Sequence, residues 1–428
     1  MAEIRSLAPE VHGFVAPGFE VVRQAFVDNF VTRDELGGAC AAYKDGVKVV
    51  DLWGGLRDAT TGLPWQEDTM AIVHSATKGM AAMVMALGHS RRWLDYDERV
   101  SHYWPEFAHS GKEQVTVRQL LAHQAGLFAF DAPVDRSVVA DLERLRVAME
   151  GQRPEWPPGE RQAYHAISLG FYEGELIRRV DPGRRTLGQV FDQEIARRLG
   201  IDFYIRIPES IPDERIAPLE SPSLLAQLKG LPLSLTLSAF RPRSMVSRAL
   251  IRNPGTQFYL DPVRVVVREL EVPSGGGVGT ARAIAKAYGV FAAGGGELDL
   301  RPETIRALAA PALPARHGYY DELFHGEARF SLGFMKPCDA FPFGSQSAFG
   351  APGAGGAMGF ADPEKGIGYG YVTSRGGTSL RGDPRDLALR AALDAACQRT
   401  ANEASGPGQL EPDAVSPSAI SPSPIRPR

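Results

Sequence analysis

Apolar positions near both ends of the chain fall into short runs broken by turn residues. Between the ends they recur mostly at i, i+3, i+4 spacing. Ala39 to Tyr43 and Val47 to Trp53 read as two strands joined at Lys44-Asp45-Gly46. Asp-Gly supplies the positive φ that a tight hairpin needs. A second hairpin is predicted from Ala357 to Phe360, through Asp362-Pro363-Glu364-Lys365-Gly366, and back over Ile367 to Thr373. A helix should follow from Pro384 to about Ala401, with Leu389, Leu393 and Ala396 on one face and Pro in its first turn. Helical patterns also cover 75–89, 117–122, 167–180, 188–199 and 281–293.

Strands at both ends and helices between them predict an α/β (α+β type) fold. One largely antiparallel sheet is built from both chain ends and flanked by helices, and a mainly helical domain is inserted into it. The expected division is 1–85 with 271–405 for the discontinuous sheet domain and 86–270 for the insertion. An irregular, Pro-containing cap segment falls at about 205–270, and a Pro/Ser-rich disordered tail at 406–428.

Composition narrows the function classes. The net charge is −4 and no Lys/Arg run stands out, which argues against a nucleic-acid or anionic-membrane surface. The three cysteines match no CxxC spacing, so a disulfide framework and a thiolate zinc site are both disfavoured. The first residues carry no apolar signal region and no run of 18 apolar residues occurs, so a soluble cytoplasmic protein with no membrane span is expected. The 46 Gly and 32 Pro exceed the usual shares of about 7% and 5%. Much of the Pro lies in the tail and the cap, while Gly is densest from Gly350 to Gly359, where backbone is expected to meet substrate.

Three segments carry chemistry. Ser75-Ala76-Thr77-Lys78 opens a helical pattern, so Lys78 lies one turn from Ser75 on the same face. A serine hydroxyl needs a base to become a nucleophile, and a lysine serves once burial lowers its pKa. The helix start also offers free N–H groups to an oxyanion. The second segment, Trp156-Pro157-Pro158-Gly159, leads to Tyr164, whose phenol could relay a proton. In the third, Gly350 to Gly359, a backbone N–H could complete an oxyanion hole with that of Ser75. Each segment also has an ordinary reading: an N-cap serine with a solvated lysine, a loop tyrosine, a Gly-rich turn.

Together with Leu120-Leu121-Ala122-His123-Gln124-Ala125-Gly126-Leu127, these segments resemble the serine β-lactamase/penicillin-binding-protein superfamily, in its class C-like branch of family VIII carboxylesterases. The resemblance covers roughly residues 20–400 and implies a β-lactamase/transpeptidase-like fold. It makes Ser75 the acylated serine, Lys78 and Tyr164 its proton-transfer partners, and the N–H groups of Ser75 and Ala354 the oxyanion hole. Substrate contacts would fall to Ala351, Gly353, Gly355 and His165. Two positions depart from the family pattern. Ala166 stands where the Tyr-x-Asn motif has its amide, and Ala351 replaces the basic residue of Lys/His-Thr-Gly. Both departures weaken penicillin-type chemistry.

His123, in the Leu-Leu-Ala-His loop, reads as structural. No Gly-x-Ser-x-Gly, His-Glu-x-x-His, P-loop or full Gly-x-Gly-x-x-Gly occurs, so no metal or nucleotide cofactor is expected. The expected function is hydrolysis of small, short-chain esters through a Ser75 acyl-enzyme. Acyl transfer to an alcohol or amine, hydrolysis of a β-lactam or other cyclic amide, and a non-catalytic binding role on the same fold are the alternatives. Oligomeric state is left open.

Overall fold

The computed structural model describes residues 9–132, 134–220, 233–251, 265–379 and 382–404. β1 (Val11–Val15), α1 (Glu20–Thr32), β2 (Gly37–Lys44) and β3 (Val47–Asp58) open the chain. β4 (Met70–Ile72) runs into a 3-10 turn at His74–Ala76 and then α2 (Thr77–Ser90). Farther on come α3 (Ser168–Val180), β5 (Phe203–Tyr204), β6 (Ile216–Ala217), α4 (Leu233–Phe240), β7 (Val278–Gly279) and α5 (Ala281–Ala292). β8 (Arg329–Ser331), β9 (Phe334–Lys336), β10 (Phe349–Pro352), β11 (Met358–Asp362), β12 (Ile367–Thr373) and α6 (Pro384–Ala404) close it.

The main sheet runs β1-β3-β2-β12-β11-β10-β9-β8, and every neighbouring pair is antiparallel. The two chain ends join at β2 and β12, in register from Ile367 opposite Lys44 to Thr373 opposite Gly38. Both expected hairpins form. Asp45 and Gly46 have φ of 48° and 79°, so both turn residues take the positive φ that an Asp-Gly hairpin supplies.

The faces of β12 explain how helices cover the sheet. Tyr369 and Tyr371 point to one side and pack with Phe26 of α1 and Leu389 and Leu393 of α6. Gly368 and Gly370 point to the other, where α5 lies directly on the strand. A Cβ at Gly368 would come within 2.1 Å of the Gly289 nitrogen, and one at Gly370 within 2.4 Å of the Ala281 carbonyl oxygen. Gly359 of β11 admits Ile284 and Tyr288 in the same way. Part of the glycine excess therefore serves helix-on-sheet packing, and Gly359 belongs to that part rather than to a substrate surface.

α2 is the central element. All its residues except His89 are buried, which accounts for the Ala/Met composition of the segment. The remaining sequence expectations need two corrections. The helix expected over 188–199 is interrupted by a π turn at Asp192–Ala196. The segment at 205–270 is not simply irregular: β6 and α4 lie in it. With β4, β5 and β7, β6 forms a small sheet in the order β5-β7-β4-β6, where β4 is antiparallel to β7 and parallel to β6. The remainder of the cap at 221–232 and 252–264, and the expected disordered tail at 406–428, lie outside the described residues. Cys40 and Cys338 are buried free thiols and Cys397 is half-buried. Among the described residues, no helix is long and apolar enough to cross a membrane.

Candidate active site

The turn before α2 fixes the serine. His74 adopts a left-handed φ of 45°, uncommon for a residue with a side chain and a sign of local strain directly before Ser75. Neighbouring bonds hold that conformation. Thr77 Oγ1 donates to the His74 carbonyl (2.5 Å) and accepts from Gly277 N–H (2.9 Å), while Val73 N–H donates to the Gly277 carbonyl (3.0 Å). Ser75 is half-buried at the start of α2, where the first N–H groups lack acceptors within the helix.

Lys78 is buried on the same helix face. Its Nζ lies 3.3 Å from Ser75 Oγ, 2.6 Å from the Ala166 carbonyl oxygen and 2.8 Å from the Ser274 carbonyl oxygen. Desolvation pulls its pKa down to about 7, against an opposing pull from Glu173. A neutral amine has two N–H donors and one lone pair. With both donors committed to the two carbonyls, the lone pair is left for Ser75.

Tyr164 reaches the lysine from the loop before α3. Its ring centroid is 4.8 Å from Lys78 Nζ, and the ring stacks on Phe324 and Phe330 at 5.0 and 5.6 Å. Burial raises the phenol above its ordinary value, while the adjacent Ser75 hydroxyl pulls the other way. Tyr164 is therefore a phenol at neutral pH and stands ready to donate a proton.

The histidines serve the framework. His123, at a left-handed φ of 60°, accepts from His165 N–H at Nδ1 (2.9 Å). His165 accepts from Leu127 N–H at Nε2 (3.0 Å), and its Nδ1 lies 2.6 Å from the Ala163 carbonyl. Burial keeps both rings neutral, holding His165 down at about 4 and His123 well below its ordinary value. His165 is fully buried with both nitrogens engaged, which corrects its assignment as a substrate contact. It pins the Leu127 loop instead.

The glycine turn sits against the serine turn. A Cβ at Gly353 would lie 2.1 Å from the Val73 carbonyl oxygen and 3.3 Å from the Ala76 nitrogen, so only glycine allows this approach. Gly353 N–H donates to the Ala357 carbonyl (2.7 Å) and Gly356 N–H to the Gly353 carbonyl (3.1 Å). Ala354 is exposed at the tip of the turn, and among the described residues its N–H meets no acceptor. Gly355 and Gly356 have φ of 91° and 113°. Asp383 crowds Gly356 and Gly377 from behind and is held by Arg385 (2.7 Å), which also reaches Glu35 (3.2 Å). Ala351 is buried, with its methyl group facing α2 at Gly79.

The structure thus brings Ser75, Lys78, Tyr164 and the turn at Gly353 together around the start of α2. Two contributors escaped sequence reading: Ser274, whose carbonyl holds Lys78, and Glu173, the buried carboxyl coupled to it. The Gly275-Gly276-Gly277 run after Ser274 was the available signal for the first. Among the described residues, no group of three His, Cys, Asp or Glu side chains is placed to hold a metal ion.

Known proteins resemble this chain over most of its length. "Esterase/beta-lactamase LipL" of Mycobacterium tuberculosis is 33% identical over 382 residues, spanning 85% of this chain and 83% of LipL. The solved structure of a family VIII carboxylesterase superposes with a TM-score of 0.79 at 34% identity, covering 90% of this chain and 100% of that one. EstA from Arthrobacter nitroguajacolicus Rue61a superposes at 0.78 with 31% identity, covering 92% and 100%. The beta-lactamase family model matches residues 23–393, a span that takes in the serine turn, the Tyr164 loop and the glycine turn. The chain belongs to the beta-lactamase family.

Proposed function

We propose that the chain is a carboxylesterase that cleaves small, short-chain esters through an acyl-enzyme on Ser75. The observation that carries this reading is Lys78, buried between two carbonyl acceptors with its remaining valence toward Ser75. Neutral Lys78 takes the Ser75 proton as the oxygen attacks the ester carbonyl. The N–H groups of Ser75 and Ala354 receive the developing oxyanion. Tyr164 protonates the departing alkoxide. Water then attacks the acyl carbonyl and gives its proton to the Tyr164 phenolate, and the Lys78 ammonium returns its proton to Ser75 Oγ as the acid leaves.

An ester fits better than a β-lactam because position 351 offers a methyl group where a cation would hold a substrate carboxylate. The likeness to a family VIII carboxylesterase supports the same choice, while the name of LipL, "Esterase/beta-lactamase", spans both chemistries. Hydrolysis of p-nitrophenyl acetate and butyrate by the wild type, and its loss in Ser75→Ala, tests the reading. Retained turnover in Ser75→Ala contradicts it. Nitrocefin at equal enzyme concentration separates lactamase chemistry, and product analysis with an added alcohol separates acyl transfer.

A further inference from the structure

Glu173 lies on α3, fully buried, and neither carboxylate oxygen has a hydrogen-bond partner among the described residues. Such a group is costly to bury and is rarely left without a reason. Its surroundings point to Lys78. A Cβ built on Gly333 would meet Ala82 Cβ at 2.7 Å and Glu173 Oε1 at 3.2 Å, so the carboxyl group sits beside Ala82. Ala82 is four residues past Lys78 and shares its face of α2. On α3, Gly170 stands one turn before Glu173. Its N–H donates to Ser274 Oγ (2.7 Å), and the Ser274 carbonyl accepts from Lys78 (2.8 Å). The α3 face that carries Glu173 therefore packs on the cradle of the lysine.

We propose that Glu173 is a positioning residue for the Ser75 reaction, a buried carboxyl group that sets whether Lys78 carries a proton. The proposal rests on the reading of Lys78 as the base. Burial raises Glu173 above the ordinary carboxylate range while Lys78 pulls it down, and Glu173 in turn draws Lys78 up. The other titratable groups facing the pair are Tyr164, which both Glu173 and Asp321 raise, and His123 and His165, which Lys78 holds down.

The pair titrates as a unit. With one proton between them, it is either carboxylate with ammonium or carboxylic acid with amine, and only the second form has a base for Ser75. Glutamine at 173 mimics the acid form and removes the carboxylate that retains the ammonium. Lys78 should then lose its proton at lower pH.

The test is the pH dependence of kcat/KM on p-nitrophenyl butyrate for wild type, Glu173→Gln and Glu173→Met, alongside the pH dependence of fluorophosphonate labelling of Ser75. Both variants should shift the acid limb to lower pH by about one unit in both readouts. The methionine variant keeps the test open if glutamine fails to fold. An unmoved limb in a folded variant that still labels overturns the proposal and leaves Glu173 as filling. Failure of the wild type to label at Ser75 contradicts the hydrolase reading itself and overturns this role with it, so the two failures are told apart.

Discussion

Lys78 Nζ stands 3.3 Å from Ser75 Oγ, one helical turn away, on a lysine that is buried. The separation is long for a hydrogen bond, as is common before substrate tightens a site. It is also the only bond among the three made by Nζ in which the partner can give up a proton, since the other two are to carbonyl oxygens.

The first prediction concerns pH. A base works only when neutral, and burial depresses Lys78 to about 7. Activity should therefore rise with pH through about 7 and not wait for the alkaline range of an exposed lysine. A kcat/KM profile on a non-ionising ester checks this. Lys78→Met should abolish turnover while leaving a folded protein, because methionine fills a similar volume and removes a buried amine.

Tyr164→Phe tests the proposed proton donor. Stacking on Phe324 and Phe330 survives the change, since only the hydroxyl is lost. General acid catalysis contributes roughly 100- to 10,000-fold, so kcat should fall by that order with little change in stability. Esters with good leaving groups need less protonation. The loss should accordingly be smaller for p-nitrophenyl than for alkyl esters.

Gly353→Ala tests the contact between the glycine turn and the serine turn. The added methyl group meets the Val73 carbonyl at 2.1 Å, so one turn must shift. A displacement near 1 Å at reacting groups costs about 100-fold in rate. The expected result is a large loss of kcat in a protein whose circular dichroism is unchanged.

His165→Ala separates framework from pocket. Its ring serves the Leu127 N–H and the Ala163 carbonyl. Leaving such buried groups unpaired costs about 1–3 kcal/mol each. Thermal unfolding should fall accordingly, while the ranking of acyl-chain preferences stays as in the wild type. A changed ranking with unchanged stability would restore His165 as a substrate contact.

What could be read from the sequence was what is local. The Asp45-Gly46 hairpin, the Pro384 helix start and the Ser75–Lys78 spacing each depend on a handful of adjacent residues. The small sheet was hidden because β5, β6 and β7 are two residues long and pair across large sequence distances. Ser274 escaped because it meets Lys78 from 196 residues away, through a carbonyl oxygen that every residue has. Glu173 is one of several charges in its helix, and what sets it apart from the buried Glu175, which pairs with Arg178 and Arg179, is that its carboxyl group has no hydrogen-bond partner among the described residues. The resemblance places His165 among the substrate contacts, whereas the fold turns its ring inward onto the Leu127 N–H and the Ala163 carbonyl. Within the glycine cluster, position 353 meets the serine turn while position 359 meets α5, a division that composition cannot make.

The central claim is a covalent acyl group on Ser75. Mass spectrometry of the enzyme quenched during turnover of p-nitrophenyl butyrate, followed by peptide mapping, addresses it directly. The account predicts a butyryl adduct on the peptide containing Ser75, absent from Ser75→Ala and accumulating in Tyr164→Phe if deacylation is slowed. An active enzyme that carries no adduct, or carries it on another residue, would contradict the account.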